Sequence, residues 1–290
     1  MKQIEQYVSV LELGVKSSNT IRSYIKDLTK LAKYFGVSDA SELENVTVEQ
    51  YHEFYASQKI EANSIKGLIR NLSAFYTWLE DNKIISKDNS FSHVKFGKNK
   101  FPKVSKKRKV ILTKEEATAL INAGRNLQEK FMFSLMLKTA LRREEVCNIK
   151  LSDIHGCAIS LKSKGGDEDA ETYLNKELCQ MLNEYLLERN TDSEYLFYAT
   201  KGFDTDSGKM TGTSVNNRVR ACTILAGIPQ DKIEATTAHR LRAYALTHIY
   251  LEKGREAAQA VARHKSKDTI DLYIVAGNDF VKGLLLGDDE

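Results

Sequence analysis

Between Lys95 and Val110 the chain reads KFGKNKFPKVSKKRKV, with eight Lys or Arg, no acidic residue, and one Gly and one Pro inside. A charge run of this kind is ordinarily a solvated tether. It separates two regions of helical periodicity, so the chain divides into residues 1–95, a linker 96–110, and residues 111–290. A length of 290 residues fits two domains better than one. So basic a tether also favours contact with phosphate. Lys98, Lys100, Lys103, Lys106, Lys107, Arg108 and Lys109 are therefore candidate phosphate contacts. The net charge of +4 is only mildly basic, and its distribution is more informative than its sum.

Both flanking regions read as mainly helical. Only two prolines occur, so long helices can run unbroken. In SSNTIRSYIKDLTKLAKYFG, residues Ile21, Tyr24, Ile25, Leu28, Leu31 and Phe35 share one face. Ser18 or Asn19 can cap the start of this helix, and Gly36 follows its end. NSIKGLIRNLSAFYTWLEDN repeats the pattern with Ile65, Leu68, Ile69, Leu72, Phe75, Tyr76 and Leu79, and its polar face carries Lys66 and Arg70. Shorter helices over Ile4–Leu13 and Val48–Ser57 complete a four-helix domain. Beyond the linker, Thr113 and Glu116 form a capping box. An apolar helix follows at LQEKFMFSLMLKTAL. Alternation around a Gly-Gly turn predicts a hairpin pairing Cys157–Leu161 with Glu171–Leu174. Helices are expected at Lys176–Glu188, Thr213–Ala226, His239–Glu252 and Glu256–Arg263. The fold class is thus mostly α, with a small antiparallel sheet in the second domain. Neither a membrane span nor a secretory leader is legible. Cys147, Cys157, Cys179 and Cys222 show no pairing or metal-ligand spacing, which reads as a reduced cytoplasmic protein with no metal.

Four segments of the second domain are weak signals one at a time. TALRREEVCNI sets Arg142 and Arg143 just after an apolar helix, and LKSKGG sets Lys164 beside a turn. AHRLRAYALTHIYLEKG sets His239 and Arg242 three apart near a helix start, and ARHKSKDTIDLYIV sets His264 and Tyr273 nine apart. Alone, these read as a surface helix, a solvated Lys and a core Tyr. Together, in this order and at these separations, they resemble the tyrosine recombinase (phage integrase) family over nearly the whole chain, in the manner of Xer-type enzymes or simple mobile-element integrases. Thr139 to Val146 fits the family frame of Thr-Gly-Leu-Arg, two variable residues, Glu and an aliphatic, which selects Arg142 over Arg143. The family's hairpin Lys precedes a Gly, which selects Lys164 over Lys162. Three departures stand out. Ala140 replaces a Gly, Ala262-Arg263 replaces Leu-Gly with Arg263 available as a further phosphate contact, and the hairpin tip carries Asp167, Glu168 and Asp169.

The resemblance implies a helical N-terminal core-binding domain and a DNA strand-exchange chemistry. Tyr273 would be the nucleophile, since a phenol of pKa about 10 ionises more readily than an alcohol. The 3′-phosphotyrosine so formed keeps the bond energy, and neither metal nor another cofactor is called for. Arg142 and Arg242 would fork onto the scissile phosphate. Lys164 would protonate the leaving oxygen, and His239 and His264 would assist at the same phosphate. Glu145 would orient an Arg or cap its helix. The implied partners are double-stranded DNA sites, three further copies in a synaptic tetramer with the C-terminal tail exchanged, and an accessory DNA-bending protein or second recombinase. Lys66, Arg70 and the linker cations become DNA-contact candidates. A type IB topoisomerase activity and a non-catalytic DNA-binding regulator are the competing readings.

Overall fold

A computed structural model describes residues 1–94, 112–161, 170–199 and 208–263. The chain divides into two compact units, one ending at Lys107 and the other starting at Arg108. The first contains α1 (Lys2–Leu13), α2 (Ser18–Phe35), a 3-10 turn (Ala40–Asn45), α3 (Val48–Ser57), α4 (Ala62–Asp81) and α5 (Ser90–Val94). Among the described residues five helices replace the expected four. The fifth is too short to show a period, and it is held by Phe91, whose ring stacks on Tyr76 at a centroid distance of 4.0 Å. The predicted stripe of α4 is buried from Leu68 to Leu79 and packs with Leu28 and Leu31 of α2. Ile25 departs from the expected face of α2 and is exposed. The N-cap is Ser17, not Ser18 or Asn19, with its hydroxyl accepting from the Thr20 N–H. Gly36 ends the helix at φ 66°, a conformation that costs a residue with a Cβ.

The second unit runs α6 (Lys114–Asn122), α7 (Leu127–Thr139), α8 (Arg143–Asn148), a 3-10 turn (Leu151–Asp153), β1 (Ile154–His155), β2 (Ala158–Leu161), β3 (Ala170–Tyr173), α9 (Lys176–Glu188), α10 (Gly212–Leu225), α11 (Gln230–Ile233) and α12 (Ala238–Ala262). The Thr113–Glu116 capping box opens α6 as expected. α7 is the central rod, apolar on nearly every side, with Phe131, Met132, Phe133, Leu135 and Met136 buried. Glu129 lies in the same helix and is likewise buried, which is tolerable because Arg125 and Arg218 pair with it. The sheet is antiparallel in the order β1-β2-β3, with Ile159 opposite Thr172 and Leu161 opposite Ala170. The expected hairpin is present, and β1, only two residues long, adds an edge the sequence did not announce.

One expectation needs correction. Cys157, in the β1–β2 turn, is disulfide-bonded to Cys179 on α9, with Cα atoms 5.5 Å apart. The reading of four reduced cysteines therefore fails. A 22-residue separation carries no motif, and the pair meets only because the hairpin returns the chain to the sheet end where α9 begins. Cys147 and Cys222 are buried thiols. The two helices expected from His239 and from Glu256 are both present as the two legs of α12, separated by non-helical geometry at Gly254 (φ 84°, ψ 176°). The two legs meet through Ala245, Leu246, Ala258 and Ala262, with Ala140 in the same small cluster.

Candidate active site

The site forms where α7 stops. Thr139 is the last helical residue, and Ala140 adopts a left-handed conformation at φ 53° and ψ 30°. A glycine would adopt it more cheaply, so the family's Gly at this position has a backbone reason. The reversal puts Arg142 at the N-cap of α8. Glu145, three residues on, accepts from the Arg142 backbone N–H at 2.6 Å and from its Nη1 at 2.7 Å. Orienting an arginine and capping a helix were the two roles expected for Glu145, and the carboxylate does both.

Arg142 Nη2 donates to the carbonyls of Ala262 (3.1 Å) and Arg263 (3.0 Å) at the end of α12. Arg242, from the start of the same element, reaches the same place. Its Nη1 donates to the Ala140 carbonyl, and its Nη2 donates to the Ala262 carbonyl at 2.6 Å. Two arginines a hundred residues apart thus share one main-chain acceptor. The Arg142 side chain is 40% exposed, while Arg242 is 1% exposed. His239 lies one turn before Arg242 and is exposed. Arg143 is held elsewhere, paired with Glu144 at 2.8 Å and packed against Gly212, where any Cβ would collide with its guanidinium. The structure therefore brings Arg142, and not Arg143, to Arg242.

Arg263 was expected to be available to phosphate. Its Nη2 instead donates to Glu145 Oε2 at 2.8 Å. Burial by itself pushes the Glu145 carboxyl up. The charge of Arg263 and the hydrogen bonds and charge of Arg142 outweigh that and hold it below the usual carboxylate range. Lys164, His264 and Tyr273 lie outside the described residues. So do Lys98, Lys100, Lys103, Lys106, Lys107, Arg108 and Lys109 and the acidic hairpin tip. Among the described residues no cluster of three or more metal-ligating side chains occurs, and no helix is long and apolar enough to cross a membrane.

The first unit carries a polar groove between α2 and α4. Lys26, Lys30 and Arg70 line it, with Ser23, Ser64 and Gly67. Its floor is Asn71, buried, whose Nδ2 donates to Asp27 (2.7 Å) and to Ser23 (3.1 Å). Lys66 is exposed on α4, and the groove does not include it. Lys26 and Lys30 were not singled out from sequence, although their spacing of four on the polar side of α2 was available.

A helical unit, then a mainly helical second unit with a small antiparallel sheet, in which two arginines and a carboxylate gather at the end of α12, is the architecture of an integrase-type strand-exchange enzyme. Residues 110–278 match the phage integrase family, and residues 4–86 match the phage integrase N-terminal SAM-like domain. The chain belongs to the phage integrase family, the enzymes that break and rejoin DNA strands as tyrosine recombinases. Tyrosine recombinase XerA of Pyrococcus horikoshii is 26% identical over 274 residues, covering 93% of this chain and 87% of the relative. Tyrosine recombinase XerD of Oceanobacillus iheyensis is 26% identical over 282 residues, covering 91% and 89%. Among solved structures, the Tn1549 transposon integrase in complex with transposon right end DNA superposes with a TM-score of 0.73 at 16% identity, covering 98% of both chains. A lambda integrase dimer bound to a COC′ core site superposes at 0.72 with 16% identity, covering 92% of this chain and 96% of that one. These structural likenesses establish the mostly helical fold with its small antiparallel sheet.

Proposed function

We propose that the enzyme is a site-specific recombinase that cleaves double-stranded DNA through Tyr273. The Tyr273 hydroxyl passes its proton to His239 as its oxygen attacks the scissile phosphorus, and the bond from phosphorus to the 5′-oxygen breaks. Lys164 delivers a proton to that oxygen. The 3′-phosphotyrosyl bond then accepts attack by a 5′-hydroxyl of the partner strand, and Tyr273 leaves. Each step exchanges one phosphodiester for another, so no ATP is needed. Arg142 and Arg242 carry the negative charge of the phosphorane-like transition state, where preorganised charge is usually the largest catalytic contribution. His239 acts in proton transfer beside that phosphate, and His264 donates a hydrogen bond to it.

The observation that carries this reading is the meeting of Arg142 and Arg242 at the Ala262 carbonyl, two residues before His264. Motif segments far apart in sequence converge there. Main-chain carbonyls are the acceptors that a phosphate's oxygens would replace. Arg142 already opens to solvent. Arg242 does not, so its engagement requires the end of α12 to shift.

Affinity would come from Lys26, Lys30 and Arg70 in the first unit, joined by Lys66 and the linker cations. The assembly we infer is a tetramer on paired sites, with the tail beyond Tyr273 exchanged between protomers. A lambda integrase tetramer bound to a Holliday junction has a TM-score of 0.72 to this chain. An accessory DNA-bending protein or a second recombinase would set directionality, and the setting is the cytoplasm.

The test is a library of nicked suicide duplexes mixed with the protein, resolved on denaturing gels and mapped by mass spectrometry. A covalent adduct on Tyr273, absent from Tyr273→Phe, is the expected result. DNA binding with no adduct across the library would move the assignment to a non-catalytic DNA-binding protein. Comparing Lys162→Ala with Lys164→Ala identifies the general acid.

A further inference from the structure

Arg263 has no role in the chemistry above, yet its position is costly and its contacts are specific. Its backbone sits in the left-handed region at φ 49° and ψ 50°. Any residue with a Cβ is strained there. Its side chain is 17% exposed and ends on the Glu145 carboxylate, itself 14% exposed. Glu145 Oε1 takes Arg142 Nη1, and Oε2 takes the Arg142 backbone N–H and Arg263 Nη2. Both carboxylate oxygens are thereby fixed.

We propose that Arg263 is a positioning residue of the active site, locking Glu145 and, through it, the guanidinium of Arg142. The inference rests on the reading of Arg142 as a phosphate-binding residue. Three features support it. Without Arg263, Oε2 keeps only the backbone N–H of Arg142, and the carboxylate gains freedom to rotate. Arg142 is also held from its other edge, because its Nη2 donates to the Arg263 carbonyl itself. Finally, charge matters. Arg142 and Glu145 alone would form a neutral pair, whereas two arginines on one carboxylate keep a net positive charge for an arriving phosphate. Arg263 and Glu145 are mostly shielded from solvent, while Arg142 opens to it, so that charge is partly screened. The depressed titration of Glu145, to which Arg263 contributes, agrees with this.

The test compares Arg263→Gln, Arg263→Gly and Arg263→Lys in the full-length protein. Single-turnover cleavage of the suicide duplex is measured at saturating DNA across pH, with DNA affinity measured in parallel. Gln and Gly are expected to slow cleavage on the order of 10²-fold, as a small misplacement of a reacting group does, with affinity nearly unchanged. Lys is expected to restore most of the rate. Arg263→Gly relieves the backbone strain, so its slow cleavage would not come from unfolding. The Glu145 carboxyl, followed by carbon-13 NMR in the DNA-free protein, is expected to titrate at higher pH in Arg263→Gln. The acid limb of the rate profile should move upward with it. Wild-type protein that forms no adduct would overturn the recombinase reading. Wild-type protein that does form it, with Arg263→Gln equally fast and Glu145 titrating unchanged, would overturn this inference alone.

Discussion

Replacing Glu129 with Gln tests the reasoning about the central rod. The carboxylate is fully buried on α7. It accepts from Arg125 Nε at 3.0 Å, from Arg125 Nη2 at 2.5 Å and from Arg218 Nη1 at 2.8 Å. Burial pushes its pKa up, but the hydrogen bonds and charges of Arg125 and Arg218 prevail and bring it from 4.5 to about 2. At roughly 1.4 kcal/mol per pH unit, that lowering corresponds to about 3 kcal/mol. The folded-state value lies below the unfolded one, so this stability is fully present above about pH 4.5 and is lost as pH falls toward about 2. Removing one partner of a buried pair costs about 3–5 kcal/mol by an independent route, since it strands the other charge. Glu129→Gln should therefore lower the melting temperature of the second unit by about 6–12 °C at pH 7. The gap between mutant and wild type should close near pH 2. Far-UV circular dichroism reports the transition. The single tryptophan, Trp78, lies in the first unit, so its fluorescence transition is the internal control. Equal melting at pH 7, or a gap that persists in acid, would refute the assignment of a charged Glu129.

Arg142→Ala and Arg242→Ala should each reduce single-turnover cleavage by orders of magnitude, with Arg143→Ala much milder. An indispensable Arg143 would mean that the motif is misframed by one residue. Neutralising Lys26, Lys30 and Arg70 together should weaken DNA binding and make the plot of log affinity against log salt shallower by about three. An unchanged slope would remove the α2–α4 groove from the DNA interface. Cys157→Ser should destabilise the oxidised protein by about 3 kcal/mol, the loop-closure value for a bridge spanning 22 residues. Reductant should lower wild-type stability by the same amount and leave the variant unaffected.

The parts of this protein legible in its sequence were those written in local periods or local motifs. The α4 stripe, the Thr113 capping box and the β2–β3 hairpin all follow from residues within a few positions of one another. Arg142 and Arg242 were singled out because their neighbours carry a recognisable frame. What escaped depends on distant packing. α5 exists because Phe91 finds Tyr76, not because five residues show a period. Cys157 and Cys179 meet only after the sheet has folded. Arg263 looked like a spare cation, since nothing near it in sequence hints that Glu145, 118 residues earlier, will occupy its guanidinium.

The bend at Gly254 has a consequence for how this centre is built. A straight α-helix rises 1.5 Å per residue, so Arg242 and the Ala262 carbonyl would stand about 30 Å apart on an unbroken rod. They are instead in direct hydrogen bond at 2.6 Å. Two helical legs double back like a clasp, with the leg before Gly254 bringing the arginine and the leg after it bringing the acceptors for both Arg242 and Arg142. If the second leg lifts away, both guanidiniums lose the Ala262 carbonyl, while Arg142 keeps Glu145 and Arg242 keeps the Ala140 carbonyl. Opening the clasp frees one edge of each at once, and the fold thereby gives the two arginines a common latch.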